Sequence, residues 1–365
     1  GGGGDLPDPQ YKWTLIIAMN ADNDLETYGV SDVNEMEMLP DSSDVKIVVL
    51  MDRARGYDFS NNNWTDTRRF VIKHDNDTSL MTSALSPGEG GDATVMGELD
   101  TGSPTVIHDF IDWAMRNYPA EHYLVDFWNH GAGWRKKDLT AGGRGVMYDD
   151  TSRTNLTTTD LSDVLDLAAK IDIVAFDSSL MQMASVDYQL RDVCDYIVGS
   201  EESPPGEGYP YNAIFAGVVS NPDLTARAFS ANIVNETIDT LGSNYSLTQS
   251  AFRADQLVNL RNAISAFAEA LQAQDATYHE LILAARNAAV RYGSGVSSYE
   301  GYRDLVDFVD GCISRTSEPS ISVAGQAVKT ALTAALVAER HVGSSVEGSN
   351  GVSIYIPTAS DWATE

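Results

Sequence analysis

Two short polar segments, each placed directly after an apolar run, carry the residues of this chain best suited to nucleophilic chemistry. The first segment contains His130 and follows the run Tyr123–Trp128, and the second contains Ser178 and Ser179 and follows the run Ile171–Phe176. A histidine beside a serine is a base and nucleophile pair, and a backbone N–H from each segment could stabilise an oxyanion. The two segments therefore suggest covalent catalysis, provided that the fold brings them together.

Each segment also has an ordinary structural explanation. His130 could be a strand-end histidine with a structural hydrogen bond, and Ser178 and Ser179 could cap a helix, as serine often does. The glycines at 131 and 133 favour a functional role for His130, because glycine lets a substrate approach the backbone closely. The other histidines show no metal-ligand spacing: His74, His108, His122, His279 and His341.

The elements that must position these segments predict an α/β fold. Short apolar runs typical of buried strands occur at 13–19, 45–51, 123–128, 171–176 and 196–199. Segments of helical periodicity alternate with them, which predicts a mostly parallel sheet with helices on both faces. In open parallel sheets, ligands bind beyond the carboxyl ends of the strands, and both polar segments follow a strand.

Beyond about residue 220 the pattern is mainly helical. Helices are expected near 224–241, 251–274, 276–291, 299–314 and 324–341, with a final strand near 351–357. We expect an α/β core over 12–220 and a helical C-terminal region over 221–365 that packs on it. Residues 1–11 are expected to form a disordered tether, and because no initiator methionine is present, we expect an exported protein whose signal has been removed.

Composition excludes several classes of function. The net charge of -29 disfavours nucleic acid and anionic membranes, and it would attract peptides bearing Arg or Lys, although solubility is the simpler explanation of the charge. No apolar run is long enough to span a membrane. The two cysteines, Cys194 and Cys312, allow one disulfide at most and exclude a Cys-rich zinc site. Dinucleotide-binding and P-loop motifs do not occur.

Three blocks carry a family resemblance when taken together and in order. Residues 123–134 form an apolar strand that runs into His-Gly-x-Gly-Trp. Residues 172–181 are similar to Phe-Asp-x-Cys-Leu-Met, and residues 199–209 are similar to a Ser-x-Glu-x-x-Pro-x-x-Gly segment. Residues 349–357 match a Gly-x-Ser-Ile-Tyr-x-Pro strand. The chain thus resembles the clostripain-like cysteine peptidases, of the same clan as caspases, legumains and gingipains, from about residue 12 onward.

This resemblance implies a caspase-like fold for residues 12–220 and an endopeptidase that cleaves after Arg or Lys. By resemblance, His130 is the general base, and the N–H groups of Gly131 and of position 179 form the oxyanion hole. Asp177 would bind the basic P1 side chain, since a carboxylate accepts a guanidinium in bidentate geometry; a helix-dipole role is the alternative. The segment after the next strand adds substrate-binding candidates: Ser200, Glu201 and Glu202.

Position 179 departs from the family, because it holds serine where the family has cysteine. A serine hydroxyl needs a well-aligned base, usually oriented by a third group, so we expect this chain to be nearly inactive. Either the serine was substituted to hold an uncut precursor, which the intact remainder of the motif favours, or the chain is a natural pseudopeptidase or a binding module for basic peptides. An unrelated doubly wound ligand-binding domain is disfavoured by the joint motifs.

The loop between the two segments is basic and glycine-rich in an otherwise acidic chain. The resemblance implies self-activation by a cut in this loop, at Arg144 or Lys137 first and at Lys136 or Arg153 next, whereas an ordinary surface loop is the alternative. No organic cofactor is implied. Some relatives use calcium, and the many carboxylates would allow it, but no EF-hand spacing is present. We expect a monomer that acts on peptides or proteins.

Overall fold

The structure is a computed structural model that describes residues 5–134, 145–293 and 299–358. Thirteen strands occur in the described residues: β1 (Tyr11–Ala21), β2 (Val45–Arg53), β3 (Thr67–Val71), β4 (Thr94–Gly97), β5 (Ala120–Trp128), β6 (Val146–Asp149), β7 (Thr154–Leu156), β8 (Ile171–Asp177), β9 (Cys194–Gly199), β10 (Leu247–Arg253), β11 (Tyr302–Asp304), β12 (Leu336–Val342) and β13 (Ser353–Tyr355). The same residues form nine α-helices: α1 (Glu26–Glu37), α2 (Pro104–Asn117), α3 (Asp160–Val164), α4 (Ala184–Leu190), α5 (Tyr211–Ser220), α6 (Ala226–Leu241), α7 (Leu257–Ala288), α8 (Leu305–Thr316) and α9 (Pro319–Ala335).

Nine strands form one mixed sheet, in the order β12-β10-β9-β8-β5-β1-β2-β3-β4. The five central strands, from β9 to β2, are parallel, and the outer strands pair antiparallel. This arrangement confirms the predicted α/β class and its parallel centre. It also places β5 beside β8, so the two segments that carry His130 and Ser179 leave the same edge of the sheet from neighbouring strands.

Helices cover both faces of the sheet, which explains why its central strands are continuous apolar runs. Along β1, Leu15 and Ile17 enter a core shared with α1, α5 and α6, whereas Ile16 and Ala18 enter a core shared with α2 and the C-terminal helices. Successive side chains of a strand point to opposite faces, so both sets must be apolar when both faces are covered. The buried sheet gives the loops at its edge a rigid base.

The C-terminal region contributes three strands that the sequence pattern did not indicate: β10, β11 and β12. β11 occupies the start of the helix expected over 299–314, and α8 follows it. The helix expected over 324–341 ends at Ala335 and the chain continues as β12, while β10 precedes one long helix, α7, where two shorter helices were expected. Buried strand β10 carries Thr248, Gln249 and Ser250, so its apolar signal is weak. The division of the chain at residue 220 stays a prediction, although both parts supply strands to one sheet.

The final strand lies outside the main sheet. β13 pairs antiparallel with β11. The N–H of Ser353 donates to the carbonyl of Gln182 at 3.1 Å, so the C-terminal segment supports the loop that follows β8. Cys194 and Cys312 are both free and buried and do not form a disulfide. In the described part of the chain, no helix is long and apolar enough to cross a membrane.

Candidate active site

The loops that follow β5 and β8 leave the sheet side by side. Trp128 and Asp177, the last residues of the two strands, are partners in the parallel register. One step further, the N–H of Asn129 donates to the carbonyl of Asp177 at 3.3 Å. The pairing therefore carries the two polar segments of the sequence to one place at the carboxyl edge of the sheet, as the strand order requires.

Gly131 lies directly against Ser179. A Cβ placed on Gly131 would lie 2.3 Å from the carbonyl oxygen of Ser179, a distance that real Cβ atoms essentially never show, and 3.0 Å from its nitrogen, which is tighter than most real Cβ contacts. The two backbones therefore touch because position 131 is glycine. Among the described residues, the N–H groups of Gly131 and Ser179 donate no hydrogen bond, so both could donate to an oxyanion held between the loops.

The turn after Ser179 is held in a strained conformation by the chain that follows β9. Leu180 is fully buried and has a φ of 64°, in the left-handed region that non-glycine residues rarely adopt. The N–H of Leu180 donates to the carbonyl of Glu202, and the N–H of Gln182 donates to the carbonyl of Ser200. A strained residue of this kind costs roughly 1–3 kcal/mol and is typical of functional turns.

The structure removes the helix-capping explanation of this segment. Helix α4 begins at Ala184, so Ser178 and Ser179 cannot cap it, and Asp177 cannot act on its dipole. The hydroxyl of Ser178 is buried and donates to the carbonyl of Phe127 at 2.8 Å, which makes this serine structural. The hydroxyl of Ser179 makes no hydrogen bond to a described residue, as an approaching substrate would require.

His130 is half-exposed and contacts a carboxylate that the sequence analysis missed. Its Nε2 lies 2.7 Å from Oδ1 of Asp24, in the loop after β1. A signal for this residue was present: the polar stretch 20–25 follows a buried strand, just as His130 does. It was not used because the sequence alone does not say that β1 and β5 are neighbours.

Asp177 lies in a group of buried carboxylates. Its Oδ2 accepts hydrogen bonds from the N–H of Tyr209 at 2.9 Å and from the hydroxyl of Tyr211 at 3.2 Å. The Tyr211 hydroxyl also donates to Asp126, and the indole N–H of Trp128 donates to Asp32. None of these three carboxylates forms an ion pair with a described Lys, Arg or His.

Burial governs the protonation of this carboxylate group. Asp177 is only 6% exposed, and burial raises its pKa to about 7. Burial, with the charge of Asp177 as the next cause, raises the pKa values of Asp32 and Asp126 well above their ordinary range. Oδ1 of Asp177 accepts no hydrogen bond from a described residue, and the backbone of Gly208 packs closely on the carboxylate, since an added Cβ would lie 2.6 Å from Oδ2 and 2.8 Å from Oδ1. The carboxylates of Asp32, Asp126 and Asp177 could together bind one cationic side chain.

The three candidates after β9 differ in their surroundings. The hydroxyl of Ser200 is buried and lies 3.0 Å from that of Thr248. Glu201 is also buried: the Tyr292 hydroxyl donates to its Oε1 at 3.0 Å, and burial and the nearby Asp304 raise its pKa. Glu202 is half-buried and accepts from the N–H of Gly293. Ser200 and Glu201 thus lie among protein groups, and their assignment to substrate binding stays untested.

Most of the proposed cleavage positions lie outside the residues that the structure describes. Arg144, Lys136 and Lys137 fall outside the described residues. Arg153 is exposed in the turn between β6 and β7, with a φ of 60° and its N–H donating to the carbonyl of Asp149 at 2.8 Å. A residue in so tight a turn does not have the extended backbone that a protease cleft accepts.

Three carboxylates of the described chain could hold a metal ion. One oxygen from each of Asp22, Asp52 and Glu98 lies within 4.8 Å of the other two. Burial raises the pKa of Asp52 to about 8, while the hydroxyls of Thr67 and Thr101 donate to it. Oxygen donors of this kind suit calcium, which takes six to eight of them, so backbone or water oxygens would have to complete the set. A calcium requirement stays a prediction.

Comparison with known proteins matches this chain to a family. A model of the clostripain family matches residues 17–364. The clostripain of Hathewaya histolytica is 30% identical over 249 residues, which are 62% of this chain and 47% of that protein. This chain therefore spans about half the length of that curated relative.

Two solved structures share the fold. A secreted C11 cysteine protease from Bacteroides thetaiotaomicron, in complex with an irreversible peptide inhibitor, is 20% identical with a TM-score of 0.70, over 96% of this chain and 94% of that one. An inactive zymogen C11 protease from Parabacteroides distasonis is 19% identical with a TM-score of 0.69, over 98% and 97% of the two chains.

Proposed function

Because this chain belongs to the clostripain family of cysteine peptidases, we propose that it is the peptidase body of an endopeptidase that cleaves after Arg or Lys, with serine in place of its nucleophilic cysteine. The observation that carries the proposal is the contact between Gly131 and Ser179 beside His130. The N–H groups of Gly131 and Ser179 donate to no described residue and lie at the junction of β5 and β8, where Gly131 directly follows His130 in the chain, which supports their assignment to an oxyanion hole.

The proposed chemistry assigns one task to each group. With cysteine at position 179, the sulfur attacks the carbonyl carbon of the scissile bond, and the N–H groups of residues 131 and 179 receive the oxyanion. His130 takes the proton of the nucleophile and gives it to the departing amine. Water then hydrolyses the acyl-thioester, with His130 as the base that activates it.

Specificity for a basic P1 residue follows from the carboxylate group around Asp177. A guanidinium or ammonium beside Oδ1 of Asp177 would offset the cost of its buried charge, whereas a neutral side chain would leave that cost in place. The proposal requires a small opening beside Gly208, because Asp177 is only 6% exposed. Where calcium is required, Asp22, Asp52 and Glu98 are the residues that would hold it.

The serine at 179 supports a second proposal, that the chain as it stands is an inactive form of a secreted enzyme made as a precursor. An alkoxide is much harder to form than a thiolate, so the same geometry turns over little substrate with oxygen as the nucleophile. The family members of known structure include a secreted protease and an inactive zymogen, in keeping with export and activation.

The test is an assay of the chain and of its Ser179→Cys variant on peptides that differ only at P1. We expect amidase activity in the cysteine variant on Arg and Lys peptides, little on an Asp peptide, and loss of activity when His130→Ala is added. A serine chain as fast as the cysteine variant would contradict the inactive form. A cysteine variant that binds Arg peptides without cleaving them would favour the binding-module alternative.

A further inference from the structure

The imidazole of His130 uses one ring nitrogen within the protein and leaves the other unused. Its Nε2 lies 2.7 Å from Oδ1 of Asp24, and its Nδ1 makes no hydrogen bond to a described residue. If the Nε2 proton is donated to Asp24, the neutral ring carries no proton on Nδ1, so Nδ1 can act as the base. We propose that Asp24 is a positioning residue that fixes this tautomer and turns Nδ1 toward position 179. The proposal rests on the proposed function, in which His130 is the base.

The residues that immediately precede Asp24 and His130 in the chain hold the two loops together. Asn23 comes immediately before Asp24, and Asn129 comes immediately before His130. The side-chain amides of both asparagines donate to the same two backbone oxygens, those of Asn20 and Tyr148, at distances from 2.6 to 3.2 Å. Both asparagines are almost fully buried. This shared pair of acceptors fixes the distance between the two loops, so Asp24 and His130 do not meet by chance.

A buried ion pair holds the loop on the side that follows Asp24. The carboxylate of Glu26 lies 2.7 Å from Nε of Arg53, and both side chains are 0% exposed. The same carboxylate accepts from the N–H of Asp58 at 2.8 Å. Because a buried pair is costly to break by moving one partner, the loop has little freedom to carry Asp24 away from His130.

Asp24 could act on His130 by orienting the ring or by attracting the imidazolium charge, and the exposure of the two side chains decides which effect should be larger. The side chains of His130 and Asp24 are 44% and 67% exposed, and ion pairs in contact with water contribute little by charge alone. Orientation of the ring should therefore matter more than attraction to the imidazolium. Asp24→Asn keeps an oxygen that can accept from Nε2–H, whereas Asp24→Ala removes it, so the alanine variant should lose more activity than the asparagine variant.

Kinetics of the Ser179→Cys enzyme separate a positioning role from a merely structural one. On an Arg amide substrate, Asp24→Ala should lower kcat about 10- to 100-fold and change KM by less than about twofold, since general acid–base catalysis contributes about 10²–10⁴-fold in all. On the matching activated ester, whose leaving group departs without a proton, kcat/KM should fall much less. The matched control is Asp150→Ala, which removes an exposed carboxylate that contacts Tyr57 and makes no described contact with His130.

Two outcomes of the Asp24→Ala kinetics would overturn the proposal. One is an amide kcat within about threefold of the parent in the Asp24→Ala variant. The other is an equal loss on amide and ester, which would mean that Asp24 only maintains the loop. An equal loss in Asp150→Ala would also overturn it, because the effect would then come from the general negative charge of this region.

A measurement on the serine chain as it stands does not depend on activity. Nitrogen NMR of the imidazole rings, with the His130→Ala spectrum to assign the signal, should find neutral His130 protonated on Nε2. Asp24→Ala should remove that preference and Asp150→Ala should keep it. A His130 protonated on Nδ1, or a tautomer unchanged by Asp24→Ala, refutes the proposal. The expected tautomers together with a Ser179→Cys enzyme that cleaves nothing would leave the orientation standing and reject the proposed function.

Discussion

Replacing Asp177 with asparagine should stabilise the folded protein and, in the Ser179→Cys background, lower kcat/KM for basic substrates. Burial raises the pKa of Asp177 from 3.8 to about 7, so its charge is unfavourable in the folded chain. At 1.36 kcal/mol per pKa unit, a difference of about 3 units amounts to about 4 kcal/mol. Asparagine carries no charge, and its side-chain oxygen can still accept from Tyr209 and Tyr211. The folded variant should therefore avoid this free-energy cost at every pH at which Asp177 of the parent chain would be ionised.

The sign of the pH dependence follows from the direction of the shift. Between about pH 4 and pH 7 the folded chain holds the Asp177 proton and the unfolded chain does not, so the parent loses stability as pH rises through this window. Below it both forms are protonated, and above it the loss is complete. The advantage of Asp177→Asn should grow by about 2.5 kcal/mol between pH 5 and pH 8.

Thermal unfolding of the two chains at pH 5 and pH 8 measures this difference. With an unfolding entropy of about 2.1 cal/mol/K per residue, the 365-residue chain should show a relative Tm gain of roughly 3 °C at the higher pH. Asp166→Asn, at an exposed aspartate, is the matched control and should show no such gain.

Kinetics supply the other half of the prediction. In the Ser179→Cys background, Asp177→Asn should lower kcat/KM for Arg and Lys substrates by about 100-fold, as expected when a buried charge pair loses one partner. If the Tm advantage of Asp177→Asn over the parent chain is the same at pH 5 and pH 8, the account of the buried charge is refuted. Unchanged kinetics on basic substrates would move the specificity role elsewhere, with the half-buried Glu202 the next candidate.

Two further predictions concern the loops around the site. Gly131→Ala should lower Tm and reduce kcat of the Ser179→Cys enzyme by at least about 100-fold, because its Cβ would lie 2.3 Å from the carbonyl oxygen of Ser179; Gly88→Ala, whose Cβ meets only the Ser86 hydroxyl at 3.9 Å, is the control, and equal effects of the two would contradict the argument. The Ser179→Cys chain should also cut itself after Arg144, and mass spectrometry should find the cut absent in Arg144→Ala. A chain that stays intact while it cleaves added peptides would rule out obligatory self-activation.

The central strands and the two loops that carry His130 and Ser179 could be predicted because their signals are local. Runs such as Val45–Met51 are apolar at every position, which is typical of strands buried on both faces, and a polar residue directly after such a run lies at the edge of the sheet. The order of the family motifs then implied that His130 and Ser179 meet. Their neighbouring strands confirm the predicted fold, while the roles of the residues stay proposals.

What could not be predicted depends on contacts between distant parts of the chain. Asp24 lies 106 residues from His130, and although its polar stretch follows a buried strand, the sequence alone does not say that this strand is next to the one before His130. Strand β10 was missed because its buried residues include a threonine, a glutamine and a serine whose hydrogen-bond partners come from elsewhere. The burial of Glu201 was missed for the same reason, since Tyr292, 91 residues away, supplies its donor.

The strand order divides the main sheet into two halves that come from separate parts of the chain. Every main-sheet strand on the β5 side comes from residues up to 128, and every strand on the β8 side comes from residues after 170. A cut between His130 and the start of β8 would divide the sheet between two polypeptides, with His130 on one and Ser179 on the other. Association of the two pieces would then obey mass action, because the pairing of Leu124–Trp128 with Ile173–Asp177 and the two shared cores would be the contacts that hold them together.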